Sequence, residues 1–137
     1  MPPIRIALVD DAEEMRLLVG MSLALTGDFV VVGEAGNGRE AIEVAAATRP
    51  ELMLLDLSMP EMDGLTALPR VLEVSPGTCV VVFSGFDEAQ LGDEARERGA
   101  AAFVEKGTPL EDLCELLRAF ARGDDPPTPP GPLQSGA

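Results

Sequence analysis

The chain of 137 residues contains no histidine. Catalysis by a Ser-His-Asp or Cys-His arrangement, zinc binding through imidazole and a phosphohistidine relay are therefore excluded within this chain. Cysteine is also scarce, since only Cys79 and Cys114 are present, far apart and in apolar segments. Their spacing favours two small buried thiols over a redox pair or a disulfide framework.

Basic residues are few, with 10 Lys and Arg against 24 Asp and Glu, which gives a formal net charge of −14. This balance argues against direct binding of nucleic acid and against binding to an anionic membrane surface. Lys106 is the only lysine. A preference for arginine codons would explain that, so its position decides whether it has a role.

Targeting signals are lacking as well. The start, Met-Pro-Pro-Ile-Arg, has no signal-peptide pattern, and no apolar run approaches the ~20 residues that span a bilayer. We therefore expect a cytoplasmic protein. The length fits one domain, placed at residues 1–122. Residues 123–137 contain five prolines between positions 126 and 132, which predicts a disordered tail or linker.

Short apolar runs alternate with helical patterns along the rest of the chain. The runs predict strands at residues 4–9, 29–32, 52–55, 80–83 and 101–104, and the patterns predict helices near 12–25, 38–48, 64–74, 88–98 and 109–122. Uninterrupted apolar strands suit a parallel sheet that is covered on both faces. The fold class is therefore α/β, a doubly wound five-stranded parallel sheet.

Two local signals refine the helix predictions. Pro69 lies inside the third predicted helix and should kink it or delay its start. Thr108-Pro109-Leu110-Glu111 has the pattern of a capping box, with proline at the first helical position, and opens the fifth helix.

Polar side chains stand where four of the five strands end. Asp10 and Asp11 follow the first strand, Asp56 the third, Ser84 the fourth and Lys106 the fifth. Functional groups in parallel sheets gather at this edge. Three carboxylates in one cleft need a cation or a raised pKa, and oxygen ligands without histidine or cysteine suit Mg²⁺.

Each of these residues also has an ordinary explanation when taken alone. Asp11 could cap the first helix with Glu14 as its partner, Asp56 and Ser84 could belong to turns, and Lys106 could be a solvated lysine. Their joint placement favours a functional site. The second strand ends in Glu34-Ala35-Gly36-Asn37, a turn sequence without comparable chemistry.

Four segments resemble the motifs of response-regulator receiver domains of two-component signalling, in the family's order and with compatible gaps. They are Leu-Val-Asp-Asp-Ala, Leu-Leu-Asp-Leu-Ser-Met-Pro-Glu-Met-Asp-Gly-Leu, Val-Val-Val-Phe-Ser-Gly and Phe-Val-Glu-Lys-Gly. The resemblance covers roughly residues 4–122. It implies a chemotaxis-regulator-like, flavodoxin-like (βα)5 fold with strand order 2-1-3-4-5. The sequence after Lys106 resembles the LuxR-type transcription-factor branch.

The resemblance also implies a role for each matching residue. Asp56 matches the phosphoacceptor, Lys106 the phosphate-binding lysine, Ser84 the switch hydroxyl and Phe103 the aromatic that turns inward on activation. The implied Mg²⁺ ligands are Asp10, Asp11, Asp56 and the backbone carbonyl of Ser58. Gly107 stands where many receivers have a proline after the lysine, so the isomer of the Lys106–Gly107 peptide is left open.

The function implied is that of a phosphoacceptor in a phosphorelay, with a histidine kinase or a phosphotransfer protein as donor. Phosphorylation would alter the face formed by the fourth helix, fifth strand and fifth helix, for an output partner or a homodimer. We expect no enzyme beyond self-phosphorylation from small donors and autodephosphorylation. Because the 15-residue tail is too short for a helix-turn-helix, the chain is either a stand-alone regulator or a receiver fragment of a DNA-binding response regulator.

Two other classes of function are considered. A Mg²⁺-dependent phosphohydrolase could use Asp56 as its nucleophile, but its commonest form has an acid two residues later, where Ser58 stands. A flavin-binding module would need a hydroxyl-rich phosphate loop after the first strand, where this chain has two acids.

Overall fold

Five apolar runs form one parallel sheet in the computed structural model, which describes residues 2–123. The strand order is β2-β1-β3-β4-β5, as predicted. The strands are β1 (Ile4–Val9), β2 (Phe29–Ala35), β3 (Leu52–Leu55), β4 (Cys79–Ser84) and β5 (Ala102–Glu105). The helices are α1 (Glu13–Thr26), α2 (Gly38–Thr48), α3 (Gly64–Val74), α4 (Glu88–Glu97) and α5 (Leu110–Arg122).

The predicted tail begins at Gly123, and its residues 124–137 lie outside the described residues. Within residues 2–123, no helix has both the length and the apolar character needed to cross a membrane.

Helices cover both faces of the sheet, which confirms the predicted fold class. On one face α2, α3 and α4 contribute Ala41, Leu68 and Ala95 to a core with the sheet. On the other face α1 and α5 contribute Val19 and Leu117. All five of these side chains are almost fully buried. Apolar residues on both sides of the central strands explain why the sequence shows continuous runs in place of alternation.

Three backbone hydrogen bonds join the residues that follow the strands at the carboxyl edge. The amide of Asp10 donates to Ala35 at 3.0 Å, that of Asp56 to Val9 at 2.9 Å, and that of Lys106 to Ser84 at 2.7 Å. The polar residues beyond the strands are therefore held in sheet-like register with their neighbours. The geometry of this edge is fixed by the backbone before any side chain is considered.

Pro69 lies inside α3 but does not delay its start, which is Gly64. Since proline has no N–H, the carbonyl of Leu65 has no partner within the helix. The guanidinium of Arg98, which follows α4, supplies one: its Nη1 donates to the Leu65 oxygen at 3.0 Å. A side chain from the neighbouring helix thus completes the hydrogen bonding that the proline interrupts.

The predicted capping box at the start of α5 is wrong. The residue that caps the helix is Pro109, and among residues 2–123 no side chain forms a capping hydrogen bond there. The hydroxyl of Thr108 is buried and has no hydrogen-bond partner among the described residues. The local sequence pattern is present, but the Thr108 side chain is buried and makes no hydrogen bond to the helix amides.

We predict that Arg98 and Pro69 are energetically coupled. Arg98→Met should lower the free energy of unfolding by about 1 kcal/mol, because the Leu65 carbonyl loses its partner. In a Pro69→Ala background the cost should be smaller, since the new amide at position 69 can donate to Leu65. Urea denaturation of both single variants and the double variant measures the coupling.

Arg98 also contacts Glu94 at 3.0 Å, so Glu94→Gln is the control for loss of that ion pair alone. An equal cost of Arg98→Met in both backgrounds would show that the Leu65 contact has no energetic importance.

Candidate functional site

Three carboxylates meet at the carboxyl edge of the sheet. Asp10 and Asp11 follow β1 and Asp56 follows β3, and one carboxylate oxygen from each lies within 4.8 Å of the others. Asp10 and Asp56 are 5% and 3% exposed, whereas Asp11 is exposed. The strand-end placement predicted this cluster, and the structure brings its members together.

Lys106, which follows β5, reaches into the same cluster. Its Nζ lies 2.7 Å from Asp10 Oδ2 and 3.4 Å from Asp56 Oδ2. Burial alone would lower the pKa of this lysine, but the hydrogen bond to Asp10 and the charges of both aspartates outweigh it, so its pKa is raised. The only lysine of the chain is therefore a charged, half-buried partner of the carboxylates and not a solvated side chain.

The surroundings of Asp56 disfavour the ionised form of its carboxyl group. Burial raises its pKa from 3.8 to about 6, and the charge of Asp10 acts in the same direction. The charge of Lys106 and a 3.4 Å hydrogen bond from the Ser58 amide lower this pKa without cancelling the increase. Asp56 is thus a carboxylate whose ionised form would gain from an additional cation.

The donor set fits a hard divalent cation. Every ligand candidate is an oxygen, the carboxylates lie within reach of one ion, and exposed Asp11 leaves the cluster open to solvent. Asp10 is already held, because its Oδ1 accepts a hydrogen bond from the Ala12 amide at 2.9 Å. The alternative that Asp11 caps α1 is not realised, since the capping position is occupied by Ala12.

Two further predicted site residues, Ser84 and Phe103, lie on the neighbouring strands β4 and β5. Ser84 ends β4 and is fully buried, and its Oγ accepts a hydrogen bond from the Phe86 amide at 3.1 Å. Phe103, on β5, is 3% exposed and packs in the core beneath α4. The Lys106–Gly107 peptide is trans, and Gly107 has a φ of 105°, which favours glycine. The switching roles of Ser84 and Phe103 stay predictions.

Close packing around Gly64 explains why the motif Met-Asp-Gly-Leu has a glycine at this position. A Cβ at this position would lie 2.3 Å from the carbonyl oxygen of Asp56 and 2.9 Å from the Cα of Leu57. The start of α3 therefore packs directly against the backbone that carries Asp56. Asp63 caps the same helix by accepting a hydrogen bond from the Thr66 amide at 2.8 Å.

Sequence reasoning missed one part of this edge. Arg16 of α1 donates from Nη1 to the backbone oxygen of Asp10 and from Nε to Glu34 Oε1 at 3.0 Å. Glu34 and Ala35 were predicted to lie in a turn, but they belong to β2. Glu34 therefore contributes a contact to this edge of the sheet. A basic residue five positions after Asp11, near the start of α1, was the available signal, but its partner Glu34 is 18 residues away in sequence.

The fold and the site together define the class of protein: a doubly wound α/β domain with an acidic, lysine-containing cluster at the carboxyl edge of its sheet. Within that class, the chain belongs to the response regulator receiver domain family, whose sequence profile matches residues 6–118. Receiver domains of this family are signalling domains of two-component systems. The predicted family and fold are thereby confirmed.

Curated relatives agree with this assignment. The nitrate/nitrite response regulator protein NarL of Escherichia coli K12 is 38% identical over 122 residues, which are 89% of this chain and 56% of the relative. The response regulator protein VraR of Staphylococcus aureus is 32% identical over 121 residues, 88% of this chain and 58% of the relative. The chain thus spans little more than half the length of these relatives.

Solved structures show the same fold. The signal receiver domain of the putative response regulator NarL from Mycobacterium tuberculosis superposes with a TM-score of 0.84 at 32% identity, covering 90% of this chain and 99% of that one. A LuxR-family two-component response regulator from Aurantimonas has a TM-score of 0.85 at 24% identity, with coverage of 93% and 91%, and supports the fold alone. The similarity to the two NarL proteins supports the predicted resemblance to the LuxR-type branch.

We predict that the charge on Asp56 destabilises the cation-free protein. Because its pKa is higher in the folded state, the folded protein binds more protons between about pH 4 and 6, and stability falls as pH rises through this window. In EDTA at pH 7.5, Asp56→Asn should therefore be more stable than wild type by about 1–2 kcal/mol. This is below the ~3 kcal/mol that the full shift implies, since Lys106 loses an acceptor.

Urea denaturation followed by circular dichroism at pH 7.5 and pH 4 provides the measurement, and the difference should shrink at the lower pH. Asp93→Asn, at an exposed carboxylate on α4, is the matched control and should show no such pH dependence. A destabilised Asp56→Asn with the same difference at both pH values would contradict the prediction.

We also predict that Gly64→Ala distorts the site. Since the new methyl group meets backbone atoms that cannot rotate away, the variant should lose roughly 1–3 kcal/mol of stability and shift the NMR signals of the Asp56 and Leu57 amides. Gly77→Ala is the control, because nothing lies within 4 Å of a Cβ there. Equal stability of the two variants would refute the predicted clash.

Proposed function

We propose that this chain accepts a phosphoryl group on Asp56 from the phosphohistidine of a histidine kinase or phosphotransfer protein, in a reaction that requires Mg²⁺. The observation that supports this most directly is the environment of Asp56. Its carboxylate is buried between the acidic pair that follows β1 and the amine of Lys106, at the carboxyl edge of the sheet. Membership of the receiver family supports the same assignment.

The transfer is a displacement at phosphorus. A carboxylate oxygen of Asp56 forms a bond to phosphorus while the bond from phosphorus to the donor's imidazole nitrogen breaks, and the imidazole is protonated as it leaves. Asp56 must be ionised to attack, and with a pKa of about 6 it is largely ionised at pH 7.5. A carboxylate and a phosphoryl anion repel each other, so the reaction depends on positive charge at the site.

Two sources of positive charge are proposed. Asp10, Asp11, Asp56 and the backbone carbonyl of Ser58 would hold Mg²⁺, which when bound screens this repulsion and orients the phosphoryl oxygens. Lys106, now shared between Asp10 and Asp56, would bind an oxygen of the transferred group. Its Nζ lies only 3.4 Å from the attacking carboxylate, so little movement is required.

The switch is proposed to begin at Ser84. Its hydroxyl would turn from the Phe86 amide towards the new phosphoryl oxygens, which releases the β4–α4 connection. Phe103 already lies inside the core, so its predicted inward turn becomes a repacking beneath α4. A further link is the carboxylate of Glu105, next to Lys106, which accepts a hydrogen bond from the first amide of α4, that of Glu88, at 3.0 Å.

The output face proposed is α4–β5–α5, for a partner protein or a second copy of this chain. Exposed large apolar side chains do not single it out: within residues 2–123 they comprise Phe86 beside this face, Val30, and four on α1, namely Leu17, Leu18, Met21 and Leu25. The proposal therefore rests on the link from Lys106 through Glu105 to α4.

Because the chain spans only about half of the curated relatives, a DNA-binding output in a longer protein is a further proposal, and direct contact with nucleic acid or membrane by residues 2–123 is not proposed. We also propose a cytoplasmic location, as the sequence predicts.

Phosphorylation by a small donor tests the assignment. With acetyl phosphate and Mg²⁺, wild type should gain one phosphoryl group by intact mass, and EDTA should prevent it. Asp56→Asn should gain none, and Lys106→Met should react more slowly because a positive charge is lost. Asp63→Asn, at an aspartate in the same β3–α3 connection that caps α3, is the matched control and should react. Equal labelling of wild type and Asp56→Asn would refute the proposal.

A further inference from the structure

Arg16 joins three elements at the edge of the sheet that carries the carboxylates. It projects from α1, and its side chain is only 18% exposed. One nitrogen binds the backbone oxygen of Asp10, just beyond β1, and another binds Glu34, near the end of β2, at 3.0 Å. Because two of its nitrogens donate to different acceptors, the plane of the guanidinium is fixed.

The oxygen that Arg16 binds belongs to the peptide group between Asp10 and Asp11. Because a peptide is planar, holding its oxygen also sets the direction in which the chain continues to Asp11. The other polar groups of Asp10 are occupied as well: its amide by Ala35 at 3.0 Å, Oδ1 by the Ala12 amide at 2.9 Å, and Oδ2 by Lys106 at 2.7 Å. Asp10 is fixed at each of these points, whereas exposed Asp11 depends on the peptide that precedes it.

We infer that Arg16 is a positioning residue for the divalent cation, and that it acts by presetting Asp11 through the Asp10–Asp11 peptide. Glu34 orients the guanidinium and offsets its charge. The inference deepens the proposed function and rests on it, since it concerns the cation that the transfer requires. Arg16 itself touches neither the cation nor the phosphoryl group in this scheme.

Electrostatics and positioning predict opposite results when Arg16 is removed. A positive charge beside three carboxylates weakens their attraction for a cation, so on charge alone Arg16→Met should bind Mg²⁺ more tightly. If Arg16 presets Asp11, the same variant should bind Mg²⁺ more weakly. Removal of groups that orient metal ligands costs roughly 10-fold or more in affinity, which exceeds a screened charge effect at this partly exposed site.

A Mg²⁺ titration followed by the amide NMR signals of labelled protein measures this directly. We expect Arg16→Met to raise the Mg²⁺ Kd roughly 10-fold and Arg16→Lys, which can keep only one of the two contacts, to recover part of the loss. Glu34→Gln keeps the peptide contact but loses the charged partner, and should weaken binding less than Arg16→Met. Because Arg16→Lys keeps the positive charge, weaker Mg²⁺ binding by that variant than by wild type serves as the test if Arg16→Met fails to fold.

Arg118→Met is the matched control. Arg118 pairs with Asp28 at 2.8 Å and its side chain is 28% exposed, compared with 3.0 Å and 18% for Arg16 and its partner Glu34. Asp28, however, precedes β2 and therefore lies at the opposite edge of the sheet. Its loss should reduce stability without changing the Mg²⁺ Kd. Unaltered or tighter Mg²⁺ binding by Arg16→Met, or by Arg16→Lys where Arg16→Met does not fold, with normal binding by wild type, would overturn the inference and leave the proposed function intact. Absence of saturable Mg²⁺ binding in wild type would overturn both.

Discussion

The repulsion among three carboxylates is the constraint around which this domain is organised. Asp10, Asp11 and Asp56 offer oxygens within 4.8 Å of one another, and two of the three side chains are buried. Such a cluster persists only because other interactions hold it. Backbone hydrogen bonds fix the strand ends, Lys106 spans the two buried acids, and the hydrophobic core beneath them supplies the free energy that the cluster costs.

This arrangement makes the resting state sensitive to charge. Burial, together with the charge of Asp10, raises the pKa of Asp56, so the ionised form of this carboxyl is disfavoured in the cation-free cluster and added positive charge would stabilise it. The proposed transfer of a phosphoryl group would change both the charge and the hydrogen-bond demand at one point of the edge. Ser84 and Glu105 connect that point to the start of α4, so a local change in charge has a short path to the surface.

The parts of the structure that depend on local sequence could be predicted closely. The ranges of β1, β3, α2 and α3 agree with the apolar and helical patterns, because a buried parallel sheet requires continuous apolar runs. The position of the polar residues at strand ends was enough to gather the three carboxylates and Lys106. Their roles followed from the resemblance to receiver domains and stay predictions, whereas the family itself is confirmed.

What could not be predicted depends on partners distant in sequence. Arg16 finds Glu34 across 18 residues and Arg98 finds Leu65 across 33, and no periodicity encodes either contact. The contact of Arg98 has a mechanical consequence. It anchors the end of α4 that lies farthest from Asp56, while at the near end the Glu88 amide donates an exposed hydrogen bond to Glu105 of β5. Any rotation of α4 would therefore turn about the contact of Arg98 with Leu65 and would displace most the end beside the phosphoacceptor candidate.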